Sequence, residues 1–337
     1  MNRHMPLGAI LGTALLTPMT AGSAGLLTSA HPAPPAHASA VTLAASAVTL
    51  AAPGVVPAAL GAAPAAAPRP LAGVAVYARY DRGYIVTRYQ PRKGFTRLGV
   101  APEPGQFSAS PDGEKVTWIT PRGQVQVSAA GKVTTIAKGA GMGAPCLTPI
   151  WSPDSTKVAF PSAGDTDARP IVIANADGTG DRKAGTTTGV CHLAWSGDGR
   201  HLAGYTGTTE GVVRLDLRTR RSVKVKGVKL ANHVQSLSPH GEKVVIHALS
   251  PADPGGDGAW PTEFRPTIVD TTIGRKVPIP VRGRLIGALY LPDGRLVVRV
   301  AGPRHNTLVV LDASGRRLQR LAEPPAARTQ ALLQIVR

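Results

Sequence analysis

Two histidines, His192 and His233, are the side chains of this chain best suited to act as an acid and a base. Imidazole titrates close to neutral pH, so such a pair would suit a hydrolase or a lyase. No known catalytic pattern accompanies them, since the sequence has no G-x-S-x-G elbow, H-E-x-x-H pair, Walker A loop or C-x-x-C pair. The sequence therefore predicts no catalytic residue, cofactor or metal. A hydrolase or lyase stays as the alternative to a binding protein.

Acidic side chains recur in short turns of the form S-P-D-G, each between two apolar segments. Proline sets the first corner of such a turn, and glycine accepts a positive φ. The aspartate can hydrogen-bond the backbone two residues further on, and a β-branched or aliphatic pair then follows, as in a strand. We interpret the residues at the aspartate position as structural: Asp112, Asp154, Asp198, His240 and Asp293.

The spacing of these turns predicts the fold. They recur every 42 to 53 residues, a period typical of four-stranded propeller blades rather than of helical repeats. Three strand-like segments at 74–80, 84–89 and 95–98 have no inner strand before them, and one apolar segment, 331–336, stands alone at the other end. Together they would complete one blade and close the ring. We therefore predict an all-β, six-bladed β-propeller with four-stranded blades, closed by a C-terminal inner strand and three N-terminal strands.

Polar side chains at the predicted channel mouth are candidate binding residues. They precede or open the inner strands, where propellers often bind partners, and hydrogen-bonded surface residues are the alternative interpretation. An insertion at 250–265 lengthens blade four and contains a tryptophan that could anchor a partner. The candidates are Trp260, His192, His233, Gln106, Gln235 and Arg284.

The chain is strongly basic, with 38 Lys and Arg against 20 Asp and Glu and a formal net charge of +18. Such an excess favours anionic partners. Cations cluster at 218–229 and 316–320, on predicted turns and outer strands, where solvated surface charge is the alternative explanation. We expect a protein partner or an anionic envelope polymer. Nucleic acid is a further polyanion that no motif supports, and the oligomeric state is not indicated.

The chain has two cysteines, Cys146 and Cys191. They precede the turn aspartates of adjacent blades by eight and seven residues, so they are near neighbours in the repeat. In an exported protein such a pair indicates a disulfide. Two free thiols or half of a metal site are the alternatives.

The first seventy residues differ in composition from the rest. Residues 1–40 contain an apolar stretch and small-residue sites typical of a secretory signal peptide, with an uncleaved anchor as the alternative. Residues 41–70 are rich in Ala and Pro and are interpreted as a linker. We expect 71–337 to be the folded domain of a secreted or extracytoplasmic protein, with no stable membrane span after signal cleavage.

The segments WSPDSTKVAF (151–160) and WSGDGRHLAG (195–204) resemble the WD-repeat-like repeat of TolB-type six-bladed propellers. The resemblance covers five copies over about residues 107–321, and no preceding α/β domain like that of TolB is recognisable. TolB belongs to a periplasmic envelope complex and acts through protein–protein contacts. The resemblance thus implies an exported, non-enzymatic propeller that binds a protein or a polyanion at the cell envelope.

Overall fold

The computed structural model describes residues 68–253 and 258–337. The predicted signal peptide and the linker up to residue 67 lie outside the described residues, so both stay predictions. Within the described ranges, no helix is long and apolar enough to cross a membrane. The regular structure there is β, apart from a 3-10 helix at Pro325–Ala327.

Strands in the described residues form six antiparallel sheets of four strands, and these are the blades. The closing blade contains β1 (Ala75–Tyr80), β2 (Tyr84–Gln90), β3 (Gly94–Ala101) and β24 (Ala331–Ile335), and blade one contains β4 (Phe107–Ala109), β5 (Lys115–Ile119), β6 (Val125–Ala129) and β7 (Lys132–Ala137). Blade two contains β8 (Ile150–Trp151), β9 (Lys157–Pro161), β10 (Arg169–Asn175) and β11 (Asp181–Thr187), and blade three contains β12 (Gly189–Trp195), β13 (His201–Thr206), β14 (Val212–Asp216) and β15 (Arg221–Lys224). Blade four contains β16 (Ala231–Leu237), β17 (Lys243–Ala248), β18 (Pro266–Asp270) and β19 (Lys276–Val277), and blade five contains β20 (Leu285–Tyr290), β21 (Leu296–Val300), β22 (Thr307–Leu311) and β23 (Arg317–Ala322).

The two ends of the propeller sequence meet in the closing blade. Strand β24 is its innermost strand and pairs with β1, with Ala75 opposite Ile335 and Ala78 opposite Ala331. Because the last strand joins the first three, no inner edge is left open at this point of the ring. The predicted closure and the six-bladed all-β fold are confirmed.

The hydrophobic core lies between the blades. Buried apolar side chains form six clusters, each joining two neighbouring blades. Phe107 and Trp118 of blade one pack against Val76 of the closing blade, and Trp151 and Phe160 of blade two pack against blade one. Successive strand residues point to opposite faces of a sheet, so each blade offers one apolar face to each neighbour. The aromatic residues that recur in register therefore hold adjacent blades together.

Hydrogen bonds explain the residue types of the repeated turn. In blade two the Ser152 hydroxyl donates to Asp154 Oδ1 (2.6 Å) and accepts from the Lys157 N–H (2.9 Å). This arrangement closes the turn locally, in the manner of Asx turns. In blade four His240 takes the aspartate position, and its Nδ1 lies 3.3 Å from Asp198 Oδ2 in blade three. The turns thus connect neighbouring blades as well as neighbouring strands.

A disulfide joins Cys146 to Cys191, as the sequence predicted. Both residues are buried, Cys146 in the connection that leads into blade two and Cys191 within β12 of blade three. The bond closes a sequence separation of 45 residues. It therefore links two adjacent blades near their inner strands.

Three inner strands begin earlier than the sequence predicted. Strands β12, β16 and β20 start at Gly189, Ala231 and Leu285 rather than at 193, 235 and 288. Each of them contains a register shift, which interrupts the alternation by which a strand is recognised in a sequence. As a result, His192 and His233 lie inside inner strands and not before them.

Candidate functional site

The blade-four insertion places Trp260 over the mouth of the propeller channel. The indole Nε1 donates a hydrogen bond to the carbonyl of Phe107 on the inner strand of blade one (2.7 Å). The centroid of the indole lies 5.0 Å from that of the His192 ring in blade three and 5.4 Å from that of the His233 ring in blade four. A side chain that contacts the inner strands of three blades lies across the channel. Trp260 therefore covers the mouth.

The two histidines form a buried pair beneath this indole. Their ring centroids are 4.5 Å apart, and the side chains are almost completely inaccessible to solvent. His192 Nε2 lies 2.8 Å from the carbonyl of Gly258, and His233 Nε2 lies 2.8 Å from Gln235 Oε1. Since both partner oxygens can only accept, each Nε2 carries the proton. Neither Nδ1 has a hydrogen-bond partner within the part of the chain that the structure describes.

Burial keeps both histidines neutral. Desolvation lowers the pKa of His192 to about 4, although its bond to Gly258 opposes the shift. Desolvation also lowers the pKa of His233 well below its ordinary value, and the neighbouring His192 lowers it further. The charged form of each ring would lie in an apolar, water-poor site, which is unfavourable. The pair is therefore uncharged at neutral pH.

We expect the protein to lose stability as the pH falls from about 6.5 to about 4. In this window the unfolded chain binds protons on these histidines while the folded chain does not, so protonation favours unfolding. For His192 the shift from 6.5 to about 4 corresponds to a loss on the order of 3 kcal/mol, complete below the folded pKa. Urea unfolding at several pH values measures this loss.

His192→Asn is the matched variant for this prediction, because asparagine does not titrate and tolerates the positive φ of 44° at this position. Its free energy of unfolding should fall less between about pH 6.5 and pH 4 than that of the unaltered protein. Equal slopes for the two proteins would show that His192 does not contribute.

The other residues predicted at the channel mouth, Gln106, Gln235 and Arg284, bond to other parts of the protein. Gln106 is buried, and its amide donates to two backbone carbonyls of the connection between blades one and two (2.9 and 2.8 Å). Gln235 accepts from His233 at the mouth. Arg284 is exposed and pairs with Glu263 of the insertion (3.0 Å). The structure thus brings Trp260, the two histidines and Gln235 together, whereas Gln106 holds a loop and Arg284 pairs with the insertion.

Blade five contains a buried ion pair that was not predicted from the sequence. Arg299 Nε donates to a carboxylate oxygen of Glu323 (2.9 Å), and the two side chains are 2% and 0% exposed. The Tyr77 hydroxyl donates to the other carboxylate oxygen (3.0 Å). Arg299 also donates to the carbonyl of Thr262 in the insertion (2.9 Å). The available signal was an arginine inside the apolar strand LVVRV, because a charge buried there requires a partner.

Two cavities lie on either side of the insertion. A cleft of about 1120 Å³ between blades four and five is lined by Glu263, Phe264 and Arg284. A groove of about 530 Å³ lies between Trp260 and the closing blade. Among the described residues, no cluster of three or more His, Cys, Asp or Glu is placed to hold a metal ion.

A group of unpaired cations lies on the outer edge of blades two and three. Outer strands β11 and β15 are neighbours there, and the Ser222 hydroxyl donates to the carbonyl of Thr186 (2.8 Å). We call the exposed cations of this region the basic edge: Arg182, Lys183, Arg218, Arg220 and Arg221. In the described ranges none of these five lies within ion-pair distance of a carboxylate. Their charges are therefore available to a partner.

Comparison with known proteins bears on the fold. Neither a protein-family model nor a curated protein matches the sequence. Among solved structures, TolB from Acinetobacter baumannii is similar with a TM-score of 0.51 and 14% identity, over 79% of this chain and 68% of that one. A putative TolB from Agrobacterium tumefaciens gives 0.44 and 15% over 77% and 97% of the two chains. An oligogalacturonate lyase in complex with manganese gives 0.41 and 16% over 75% of each chain.

At these identities the likeness concerns the fold and not the function. The match to TolB from Acinetobacter baumannii covers 68% of that protein's length. The described residues supply the six four-stranded blades and the closure by the last strand. The chain therefore has the fold of a TolB-like six-bladed β-propeller.

Proposed function

We propose that this chain is an exported, non-enzymatic binding protein that attaches to an anionic polymer of the cell envelope. The observation that supports the proposal most directly is the basic edge, whose five cations are exposed. A polyanion that follows this edge would gain attractive contacts without displacing an existing ion pair of the described residues. The net charge of +18 would attract the same partner at longer range.

Two features support export. Residues 1–40 have the pattern of a secretory signal peptide. The buried disulfide between Cys146 and Cys191 is of a kind that forms in oxidising compartments outside the cytoplasm. An anionic polymer of the envelope would be accessible to a protein in such a compartment, so location and charge favour the same partner.

The alternative, a propeller hydrolase or lyase with His192 and His233 as acid and base, has weaker support. A catalytic acid or base must reach the substrate and have a pKa near the working pH. Both rings are buried beneath Trp260, and burial lowers the pKa of each. These observations favour a packing role for the pair.

Removing charge from the basic edge should weaken binding of a polyanion to the full chain. The variant replaces Arg182, Lys183, Arg220 and Arg221 with glutamine. We expect its affinity for fluorescently labelled poly-glutamate and dextran sulfate, measured by anisotropy at low salt, to fall at least about tenfold. Neutral dextran serves as the uncharged probe, and any binding that it shows should be unchanged by the four substitutions, because it has no charge to interact with the basic edge.

The matched control removes the same number of charges from four other outer strands. It has glutamine in place of four exposed cations, namely Arg97, Lys132, Lys276 and Arg320. Its affinity should fall less than about threefold, because its net charge equals that of the first variant but the basic edge stays intact. Equal losses in the two variants would show that net charge alone attracts the polymer, and no binding by the unaltered protein would refute the proposal.

A further inference from the structure

The groove beside Trp260 has the composition of a small-molecule site. Its volume of about 530 Å³ falls within the range of ligand pockets. Three aromatic side chains line it, Tyr80 and Tyr84 from the closing blade and Trp260 from the insertion. Short side chains, including Ala78 and Ala259, leave space next to the rings.

The aromatic rings offer a stacking surface that is accessible from solvent. Tyr80 is 58% exposed, although large apolar and aromatic side chains are usually covered. Its ring lies edge-on to that of Tyr84, with centroids 5.3 Å apart, and Tyr84 packs in turn on Phe107 beneath Trp260. This contact fixes Tyr84 in place. A flat apolar face of a ligand could therefore stack on rings that are already ordered.

Gln330, which lines the groove, carries a buried acceptor without a partner in the described residues. Gln330 is 8% exposed, and its Nε2 donates to the carbonyl of Ala326 (2.7 Å). Its Oε1 has no hydrogen-bond partner in the described part of the chain. This oxygen is covered by neighbouring atoms, so a ligand hydroxyl would reach it only after the side chains around it shift, and the bond would then satisfy an acceptor that is otherwise unpaired. The backbone carbonyl of Gln330 also accepts from Arg299 (2.9 Å), which holds the residue in position.

The charges around the groove favour a neutral ligand. Arg79, which lines it, pairs with Asp81 (3.3 Å), and the Tyr80 hydroxyl donates to Glu103. Hydrogen bonding to Glu103 raises the pKa of Tyr80, so the hydroxyl stays protonated. Arg79 offsets the charge of Asp81, and the remaining carboxylate, that of Glu103, would repel an anion next to the rings. The acceptor and the stacking surface require a molecule with hydroxyl donors and an apolar face.

We propose that the groove lined by Tyr80, Tyr84, Trp260 and Gln330 binds a neutral pyranose sugar of a glycan chain. The C–H face of the ring would stack on an aromatic side chain, and a sugar hydroxyl would donate to Gln330 Oε1 once the side chains that cover this oxygen shift. The hydroxyl-bearing side chains of Thr262 and Thr329 line the groove and can bond further hydroxyls. This site lies in the closing blade and the insertion, so it does not depend on the basic edge.

The test is isothermal titration of the full chain with three tetrasaccharides, namely chitotetraose, cellotetraose and tetragalacturonate. We expect saturable binding of at least one neutral tetrasaccharide, with a Kd of about 0.1–1 mM. Tyr80→Ala removes the exposed ring and should weaken binding at least about tenfold. The matched control is Phe95→Ala, which removes a 38% exposed ring from β3 of the same blade, outside the groove, and should change the Kd less than about twofold.

Several results would overturn the proposal. Absence of saturation by either neutral tetrasaccharide, equal effects of Tyr80→Ala and Phe95→Ala, or binding of tetragalacturonate alone would each do so. Both variants change exposed side chains, and thermal melts will check that they fold. Binding of a neutral sugar should also survive the glutamine substitutions in the basic edge, so failure of the polyanion proposal and failure of this one are separate outcomes.

Discussion

Replacing Arg299 with methionine is expected to lower the free energy of unfolding by about 3–5 kcal/mol. Methionine keeps most of the length of the side chain but removes the charge and every hydrogen bond. Glu323, which is 0% exposed, would then be left as a buried carboxylate with the Tyr77 hydroxyl as its remaining side-chain donor. A buried charge without its counter-charge is among the most destabilising changes that a single substitution can make.

The hydrogen bonds of Arg299 explain why the effect should reach beyond the pair. Its guanidinium donates to the carbonyls of Thr262 in the insertion and of Gln330 and Ala327 near the last strand (2.9, 2.9 and 2.8 Å). Losing it leaves two buried carbonyls, those of Ala327 and Gln330, and the part-buried carbonyl of Thr262 without this donor. The substitution should therefore loosen the insertion as well as blade five. Hydrogen exchange at residues 258–265 would report that loosening.

Urea unfolding of the full chain measures the effect, with two controls. Arg284→Met breaks the exposed ion pair with Glu263, in which the side chain of Arg284 is 64% exposed and that of Glu263 is 51% exposed. This substitution should change the free energy of unfolding by less than about 1 kcal/mol. The double variant Arg299→Met with Glu323→Leu removes both charges and should be more stable than Arg299→Met alone. A loss as small in Arg299→Met as in Arg284→Met would contradict the role assigned to the buried pair.

Removing the disulfide is expected to lower the free energy of unfolding by about 3–4 kcal/mol. The bond between Cys146 and Cys191 spans 45 residues, and breaking it gives the unfolded chain more conformational freedom. Domains typically have only about 5–15 kcal/mol of net stability, so this is a large fraction. The folded state should keep its architecture, because both residues also pack in an apolar cluster with Tyr205 and Val234.

The measurement compares oxidised protein, protein unfolded in the presence of a thiol reductant, and the variant Cys146→Ser with Cys191→Ser. Reduced protein and double variant should have similar stabilities, and both should lie below the oxidised protein. The double variant should not respond to reductant, which makes it the control for side effects of the thiol. If reductant leaves the stability of the unaltered protein unchanged, the disulfide does not stabilise the fold.

Much of the fold could be predicted because the repeated turn is determined by residues that are close together in the sequence. Pro153 and Asp154 sit in a turn whose hydrogen bonds are local, so the sequence of that turn determines its shape. The lone segment that became β24 had no other strand to pair with, which predicted closure with β1. The predicted starts of the inner strands in blades three to five were wrong because register shifts within these strands break the alternation of apolar and polar residues.

The channel mouth could be predicted only in part. Trp260 stood out as an aromatic in a long insertion, but no local pattern indicated that it would pack on His192, His233 and Phe107. Those contacts join residues far apart in the sequence and depend on the ring being closed. Gln330 gave no signal at all, since a buried amide with one unpaired oxygen looks in sequence like any other glutamine. Long-range packing and hydrogen-bond satisfaction are properties of the folded chain.

Attachment through the basic edge is best tested by the salt dependence of binding to the anionic polymer purified from the native envelope. We predict that the full chain binds this polymer at about 0.05 M NaCl and loses at least about tenfold in affinity by about 0.3 M, because salt screens contacts between exposed charges. The variant with glutamine in place of Arg182, Lys183, Arg220 and Arg221 should show weaker binding and a shallower salt dependence. Affinity that is unchanged across this range, or equal salt dependence in the two proteins, would contradict attachment through the basic edge.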